Sequence, residues 1–271
     1  MESLRIGDVV IRKSYGGDIY FNIADITSRS NGKKTYILKG MLYRIMADSD
    51  EDDLEWRNPE QVQRDLQRNM SITGIHHMSR DLSSLRLFLR SRGKPGIILH
   101  IDSSEDFLKM CQKYYGDARI KAYGRVIREN EQPRHIRPLL ASTRADILVV
   151  TGHDGLKKNA VKLHSLDSYR NSRYYIQSVV EARRYEPGLD KLCVFSGACQ
   201  SYYEGIMEAG ANFASSPGRI LIHALDPAKV GDRIALTDSR AFVTPEQIAK
   251  LTQSGIKGIG GIKTKGHYIV Q

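Results

Sequence analysis

Ile147-Leu148-Val149-Val150-Thr151-Gly152-His153-Asp154-Gly155 and, further along, Leu192-Cys193-Val194-Phe195-Ser196-Gly197-Ala198-Cys199-Gln200 follow one local grammar. Each is a short apolar run stopped by small residues and then by a side chain with acid–base or nucleophilic chemistry. Runs of about four to eight apolar, β-branched residues bounded by glycine read as strands covered on both faces. In open α/β sheets, chemistry collects just beyond the carboxyl ends of such strands. His153 and Cys199 therefore stand where a site is expected.

Strand and helix signals alternate on either side of this pair. Ile97-Ile98-Leu99-His100-Ile101 reads as a strand ending in Asp102, with Ser103 or Ser104 capping a helix over 105–115. A strand at 120–123, a helix over 133–142, a helix over 169–185 stopped by Pro187-Gly188, and a helix over 202–209 stopped by Gly210 follow. The Arg219-Ile220-Leu221-Ile222-His223 run reads as a further strand, and 245–254 as a helix. This alternation implies βαβ units and a parallel sheet with right-handed crossovers. The basic, glycine-rich stretch 255–266 reads as a mobile tail. Its Gly258-Ile259-Gly260-Gly261 lacks both the Gly-Lys-Ser/Thr ending and the preceding strand of a phosphate loop, so no nucleotide is indicated.

The first part of the chain has a different texture. Short β-rich runs at 8–11, 20–23, 36–38 and 42–45 are separated by Gly16-Gly17 and Asn31-Gly32 hinges, which predicts a small SH3-like β-barrel over 1–56. Residues 57–94 read as a charged linker with surface helices, marked by Val62, Leu66, Leu82, Leu85 and Leu89, and 95–271 as the α/β domain. The acidic cluster 48–53 reads as a solvated turn. His76-His77 lacks acidic or cysteine partners at ligand spacing, and His100, His135, His164, His223 and His267 have no readable partner, so no metal is called for.

Composition narrows the function classes. Forty-one basic against 31 acidic residues in 271 give a formal charge of +10, which suits an acidic partner. The charge is scattered, which argues against a dedicated nucleic-acid surface. Three cysteines, an odd number without metal-ligand spacing, point to a reducing compartment. Neither a secretory h-region nor an apolar run of about 18 residues is present, so export and membrane anchoring are not expected.

A thiol attacks as thiolate, so a catalytic cysteine needs a base or a helix N-terminus nearby. Cys199 sits at a tight turn after Gly197-Ala198, and His153 is expected at a neighbouring strand end. Backbone amides around Gly152, Gly155, Gly197 and Ala198 are candidates for an oxyanion site. The separation 199 − 153 = 46 is similar to that of caspase-like peptidases, which place a histidine about 50 residues before an Ala-Cys. Asp154 stands where those enzymes usually have glycine.

Longer matches carry a more specific resemblance. They are Gly7-Asp8-Val9-Val10-Ile11-Arg12-Lys13-Ser14-Tyr15-Gly16-Gly17-Asp18, Leu99-His100-Ile101-Asp102, Thr151-Gly152-His153-Asp154-Gly155, Tyr169-Arg170-Asn171-Ser172, Phe195-Ser196-Gly197-Ala198-Cys199-Gln200-Ser201, Gly210-Ala211-Asn212-Phe213-Ala214-Ser215-Ser216-Pro217 and Gly255-Ile256-Lys257-Gly258-Ile259-Gly260-Gly261. Together the chain resembles the YabG family of sporulation-specific cysteine peptidases. The resemblance implies a caspase-like α/β fold and an endopeptidase that processes spore coat and germination proteins next to arginine, in the mother cell of a spore-forming bacterium and at its spore coat. It also implies Cys199 as nucleophile and His153 as base, without a cofactor, and leaves self-cleavage open.

An arginine preference asks for a carboxylate in the specificity pocket. Asp102, at the end of the adjacent strand, is the first candidate and Asp226 the second; Ser215 and Ser216 are candidates for binding substrate backbone. Two other classes compete with the peptidase. One is a non-catalytic coat or polyanion adaptor, which predicts steeply salt-sensitive binding. The other is a glutamine amidotransferase, which would need glycine at Ser201 and its histidine after the cysteine.

Overall fold

The computed structural model describes residues 3–28, 32–75, 93–158, 160 and 162–270, with backbone alone for 69–75. His76-His77 and Leu82, Leu85 and Leu89 lie outside the described residues. Strands β1 (Val9–Arg12), β2 (Phe21–Ser28), β3 (Lys34–Gly40), β4 (Met46–Asp50) and β5 (Leu54–Trp56) form an antiparallel sheet in the order β4-β3-β2-β1-β5. A single 3-10 turn, Glu51–Asp53, joins the two edge strands, but no ladder pairs β4 with β5. The sheet is therefore open where a closed barrel was expected. Helix α1 (Pro59–Ile75) follows and buries Val62.

The second sheet has six strands in the order β13-β11-β10-β9-β7-β8: β7 (Ile98–Asp102), β8 (Ala122–Val126), β9 (Ile147–Val150), β10 (Cys193–Ser196), β11 (Phe213–Ser215) and β13 (Ile259–Gly261). All neighbours are parallel except β11 and β13. The continuous apolar runs explain this, since a parallel strand is covered on both faces. Leu148, Val150 and Val194 share a cluster with α3 (Gln132–Thr143) and α4 (Ser172–Tyr185); Ile147, Val149, Cys193 and Phe195 share one with α2 (Glu105–Asp117) and α6 (Asp226–Ala235). The latter cluster runs on into Val10, Phe21, Tyr36 and Leu38, so the two sheets have one continuous core.

Three expectations from the sequence are corrected. Stretch 255–266 is not a loose tail: α8 (Gly255–Gly258) leads into β13, which pairs with β11 at the sheet edge, and β14 (Thr264–Lys265) pairs with β12 (Phe242–Val243). Its glycines provide clearance, because a Cβ at Gly261 would lie 2.4 Å from the Asn212 carbonyl oxygen. Residues 219–223 do not form a strand, since their backbone groups face the Cys199 loop and an N-terminal loop. The 42–45 run is the β3–β4 connection and makes only single bridges, Tyr43 with His223 and Ile45 with Asp154. The remaining elements are β6 (Gly93–Lys94) paired with β15 (Ile269–Val270), α5 (Tyr203–Glu208) and α7 (Pro245–Ala249).

Candidate active site

Strands β9 and β10 pair in parallel with Val150 opposite Ser196, an offset of 196 − 150 = 46. The offset between His153 and Cys199 is the same, so the two residues leave their strands in step. The pairing persists one residue past the strands, where Thr151 Oγ1 donates to the Gly197 carbonyl at 2.8 Å. Gly197 makes the turn possible: its φ of +111° is in glycine territory, and a Cβ there would lie 3.1 Å from Ser215 Cβ.

The His153 loop is held by α2 and by the turn before α3. His153 N–H donates to Glu129 Oε1 at 2.9 Å, and its ring stacks on Phe107 with centroids 5.1 Å apart. Nε2 lies 3.3 Å from the Gly40 carbonyl, while Nδ1 has no hydrogen-bonding partner among the described residues. Burial, then the Lys39 ammonium, lowers the imidazole pKa to about 4 against the pull of Glu129 and Asp102. His153 borders a cavity of about 620 Å³ between the sheets, with Ser103, Met110 and Leu66 on its walls.

Asp154 ties the two loops together. Its Oδ1 accepts from the Gly155 and Asn171 amides, both at 2.8 Å; its Oδ2 accepts from Ser172 Oγ at 2.5 Å and Ser201 Oγ at 2.9 Å. Ser201 Oγ accepts in turn from Ala198 N–H at 2.9 Å. Complete burial raises the Asp154 pKa to about 6, and these hydrogen bonds oppose the rise. Cys199 is also fully buried; its Sγ accepts from Ile222 N–H at 3.0 Å, and burial pushes its thiol pKa well up. Among the described residues no hydrogen bond joins the imidazole to this sulfur.

The β3–β4 connection lies across both loops. Arg44 carbonyl oxygen accepts from Asp154 N–H and from Cys199 N–H, each at 3.2 Å, and Arg44 N–H donates to the Ile222 carbonyl at 3.0 Å. Ala224 N–H donates to the Leu42 carbonyl at 2.9 Å. The Arg44 side chain is completely buried: Nη1 donates to Asp102 Oδ2 at 2.7 Å, Nη2 to the Ala224 carbonyl at 2.7 Å, and the guanidinium lies over the Phe107 ring. Burial pushes the Asp102 carboxyl up, but the Arg44 charge, the nearby His100 imidazole and the Ser104 N–H hydrogen bond outweigh it and hold the pKa far below the carboxylate range.

The model of the YabG peptidase family, U57, matches residues 5–271. The chain is 37% identical to the sporulation-specific protease YabG of Bacillus subtilis (strain 168), over 97% of this chain and 95% of that protein. The chain belongs to the YabG peptidase family. It is accordingly a peptidase with a role in sporulation. Among the described residues of this YabG peptidase, no helix is long and apolar enough to cross a membrane.

The other residues singled out from sequence are distributed unevenly around this site. Of the amides expected to form an oxyanion site, those of Gly155, Gly197 and Ala198 donate to Asp154, Val150 and Ser201 inside the protein. The amides that converge on one carbonyl are those of Asp154 and Cys199 instead. Gly152 provides clearance, since a Cβ there would lie 2.4 Å from Ser103 Oγ. Asp226 is buried and accepts from Gln253 N–H, Ser254 N–H and Ser254 Oγ, so its carboxylate braces the turn before α8 and is not free for a pocket. Ser216 Oγ accepts from Gln200 N–H at 3.1 Å and donates to the Ile220 carbonyl at 2.9 Å, which fixes the Cys199 loop from behind. Ser215 is buried in β11, its Oγ without a hydrogen-bonding partner among the described residues. Arg44, Ile222 and Ala224 carry no sequence signal of their role, because two act through backbone and the third is one arginine among many.

Proposed function

We propose that this peptidase is a cysteine endopeptidase of caspase-like type, with Cys199 as nucleophile, His153 as acid and base, and arginine preferred before the cleaved bond. One observation carries the reading: a single peptide carbonyl is gripped by the Cys199 and Asp154 amides while the arginine side chain of the same residue reaches Asp102. Two backbone N–H groups on one carbonyl oxygen are what an acyl-transfer site needs as negative charge develops there. A buried carboxylate facing a guanidinium is what an arginine pocket needs. His153 takes the thiol proton, Sγ attacks the carbonyl carbon, and the protonated imidazole delivers its proton to the leaving amine. Water then releases the acyl group and restores the thiol.

Family membership and the sporulation-specific relative support spore coat and germination proteins as substrates and the mother cell and spore coat as the place of work. The excess of basic residues favours acidic substrates. The N-terminal sheet, with edge strands joined by one short turn, is of SH3-like order and braces the site through its β3–β4 connection. The test uses a peptide with one arginine. Wild-type protein should cut after it, while Cys199→Ala and His153→Ala, folded by circular dichroism, should not; retained cleavage in the Cys199 variant would sink the cysteine mechanism.

A further inference from the structure

The segment 41–45 is held as a peptidase holds a substrate, and it belongs to the same chain. We propose that Arg44–Ile45 is the bond this site addresses first, so that the β3–β4 connection is a built-in substrate which occupies the site until it is cut. The proposal rests on the cysteine-peptidase reading above and names the first substrate of that site.

Four features coincide at one residue. The chain at 42–44 is paired edge-on with 222–224, through the Leu42 carbonyl and the Arg44 N–H, as in recognition by strand addition. The Arg44 carbonyl lies on the amides of Asp154 and Cys199. Its guanidinium fills a buried pocket closed by Asp102, the Ala224 carbonyl and Phe107. Across the next peptide bond, Ile45 N–H has no backbone acceptor among the described residues, so the leaving nitrogen is not tied into a ladder. A buried ion pair that merely joined two sheets would account for the guanidinium and would leave the doubly held carbonyl unexplained.

In the step, Sγ leaves the Ile222 N–H, gives its proton to His153 and bonds to the Arg44 carbonyl carbon. The carbon–nitrogen bond to Ile45 breaks and the new Ile45 amine takes the proton from His153. Water cleaves the thioester, leaving an Arg44 carboxylate and the thiol. The sheet still pairs β3 with β4 across the cut, so the site opens to other substrates only when residues 41–44 withdraw.

The experiment follows freshly purified full-length chain by denaturing mass spectrometry and N-terminal sequencing, with hydrolysis of an arginine peptide measured in parallel. Wild type should gain an Ile45 N-terminus at a rate independent of protein concentration, and peptide hydrolysis should rise as that terminus appears. Cys199→Ala should show neither. Ile45→Pro, which removes no backbone hydrogen bond and makes the bond resistant, should stay intact. An occupant tethered at millimolar effective concentration should hold its hydrolysis of micromolar peptide more than about tenfold below cut wild type. Wild type that hydrolyses peptide while intact, or is cut elsewhere, or an Ile45→Pro chain as active as cut wild type, overturns the proposal and leaves the peptidase reading standing. Peptide hydrolysis that survives Cys199→Ala overturns that reading itself, and an Ile45 terminus that forms in Cys199→Ala shows a foreign protease and overturns the self-cleavage.

Discussion

The loop 151–155 and the loop 197–201 leave adjacent parallel strands in step, yet they face different surroundings. The first borders a cavity of about 620 Å³, and its imidazole keeps one nitrogen without a hydrogen-bonding partner among the described residues. The second is sealed: Cys199 is wholly buried, its sulfur bonded to Ile222 N–H and its amide to Arg44. His153 has room beside it and Cys199 has none. What covers Cys199 is the β3–β4 connection of the N-terminal sheet, so access to the thiol is decided by residues far from it in sequence.

The strongest attempt to break this contrast is kinetic. If both loops serve one reaction, Cys199→Ala and His153→Ala should each lower arginine-peptide hydrolysis by about 10⁴-fold or more, and the double variant should be little worse than either. Additive losses in the double variant would separate the loops functionally. The cover itself is next. Asp102→Ala leaves the Arg44 guanidinium buried without its partner and should cost about 3–5 kcal/mol in urea unfolding. A cost below about 1 kcal/mol would mean that the cover is loosely held.

The pH dependence of stability sharpens the contrast further, because adjacent residues act with opposite sign. His153 has its pKa lowered to about 4, so between there and its unfolded value of about 6.5 the unfolded chain binds the extra proton and stability rises with pH. Asp154 has its pKa raised to about 6, so between about 3.9 and that value the folded chain binds the extra proton and stability falls with pH. Each slope is about 1.4 kcal/mol per pH unit at most. Stability curves of an uncut Cys199→Ala background should therefore tilt downward with pH on adding His153→Gln and upward on adding Asp154→Asn. Equal tilts of one sign would contradict the assigned protonation states. The smallest effect concerns the back of the cysteine loop, where Ser216→Ala removes two hydrogen bonds and should cost about 1–2 kcal/mol by the same unfolding measurement. In the same spirit, iodoacetamide should label Cys199 of intact Ile45→Pro protein as slowly as Cys111 and Cys193, which are equally buried.

Strands β7, β9 and β10 were readable because they are short apolar runs with glycine close by, whereas β11 (Phe213–Ser215) is too short to announce itself and went unread. The two loops were readable for the same reason, since strand ends place side chains. The 219–223 run misled because β-branched residues signal an extended chain and not its partner: Ile220 and Ile222 give their backbone groups to Gln200, Arg44 and Cys199 Sγ. The glycines of 255–266 suggested looseness, whereas Gly260 and Gly261 are small so that β13 can approach Tyr203 and Asn212. Arg44 was hidden because its burial depends on Asp102 and Ala224, one 58 and the other 180 residues away. No window of sequence contains that arrangement.

The wall behind Cys199 is completed late in the order of synthesis. Ser216 N–H donates to the Gly258 carbonyl and Gly218 N–H to the Lys257 carbonyl, and β13 zips onto β11 just after them. Gly258 follows Arg44 by 258 − 44 = 214 residues, so the segment that closes this wall is made long after the arginine-bearing connection that lies on the other side of Cys199.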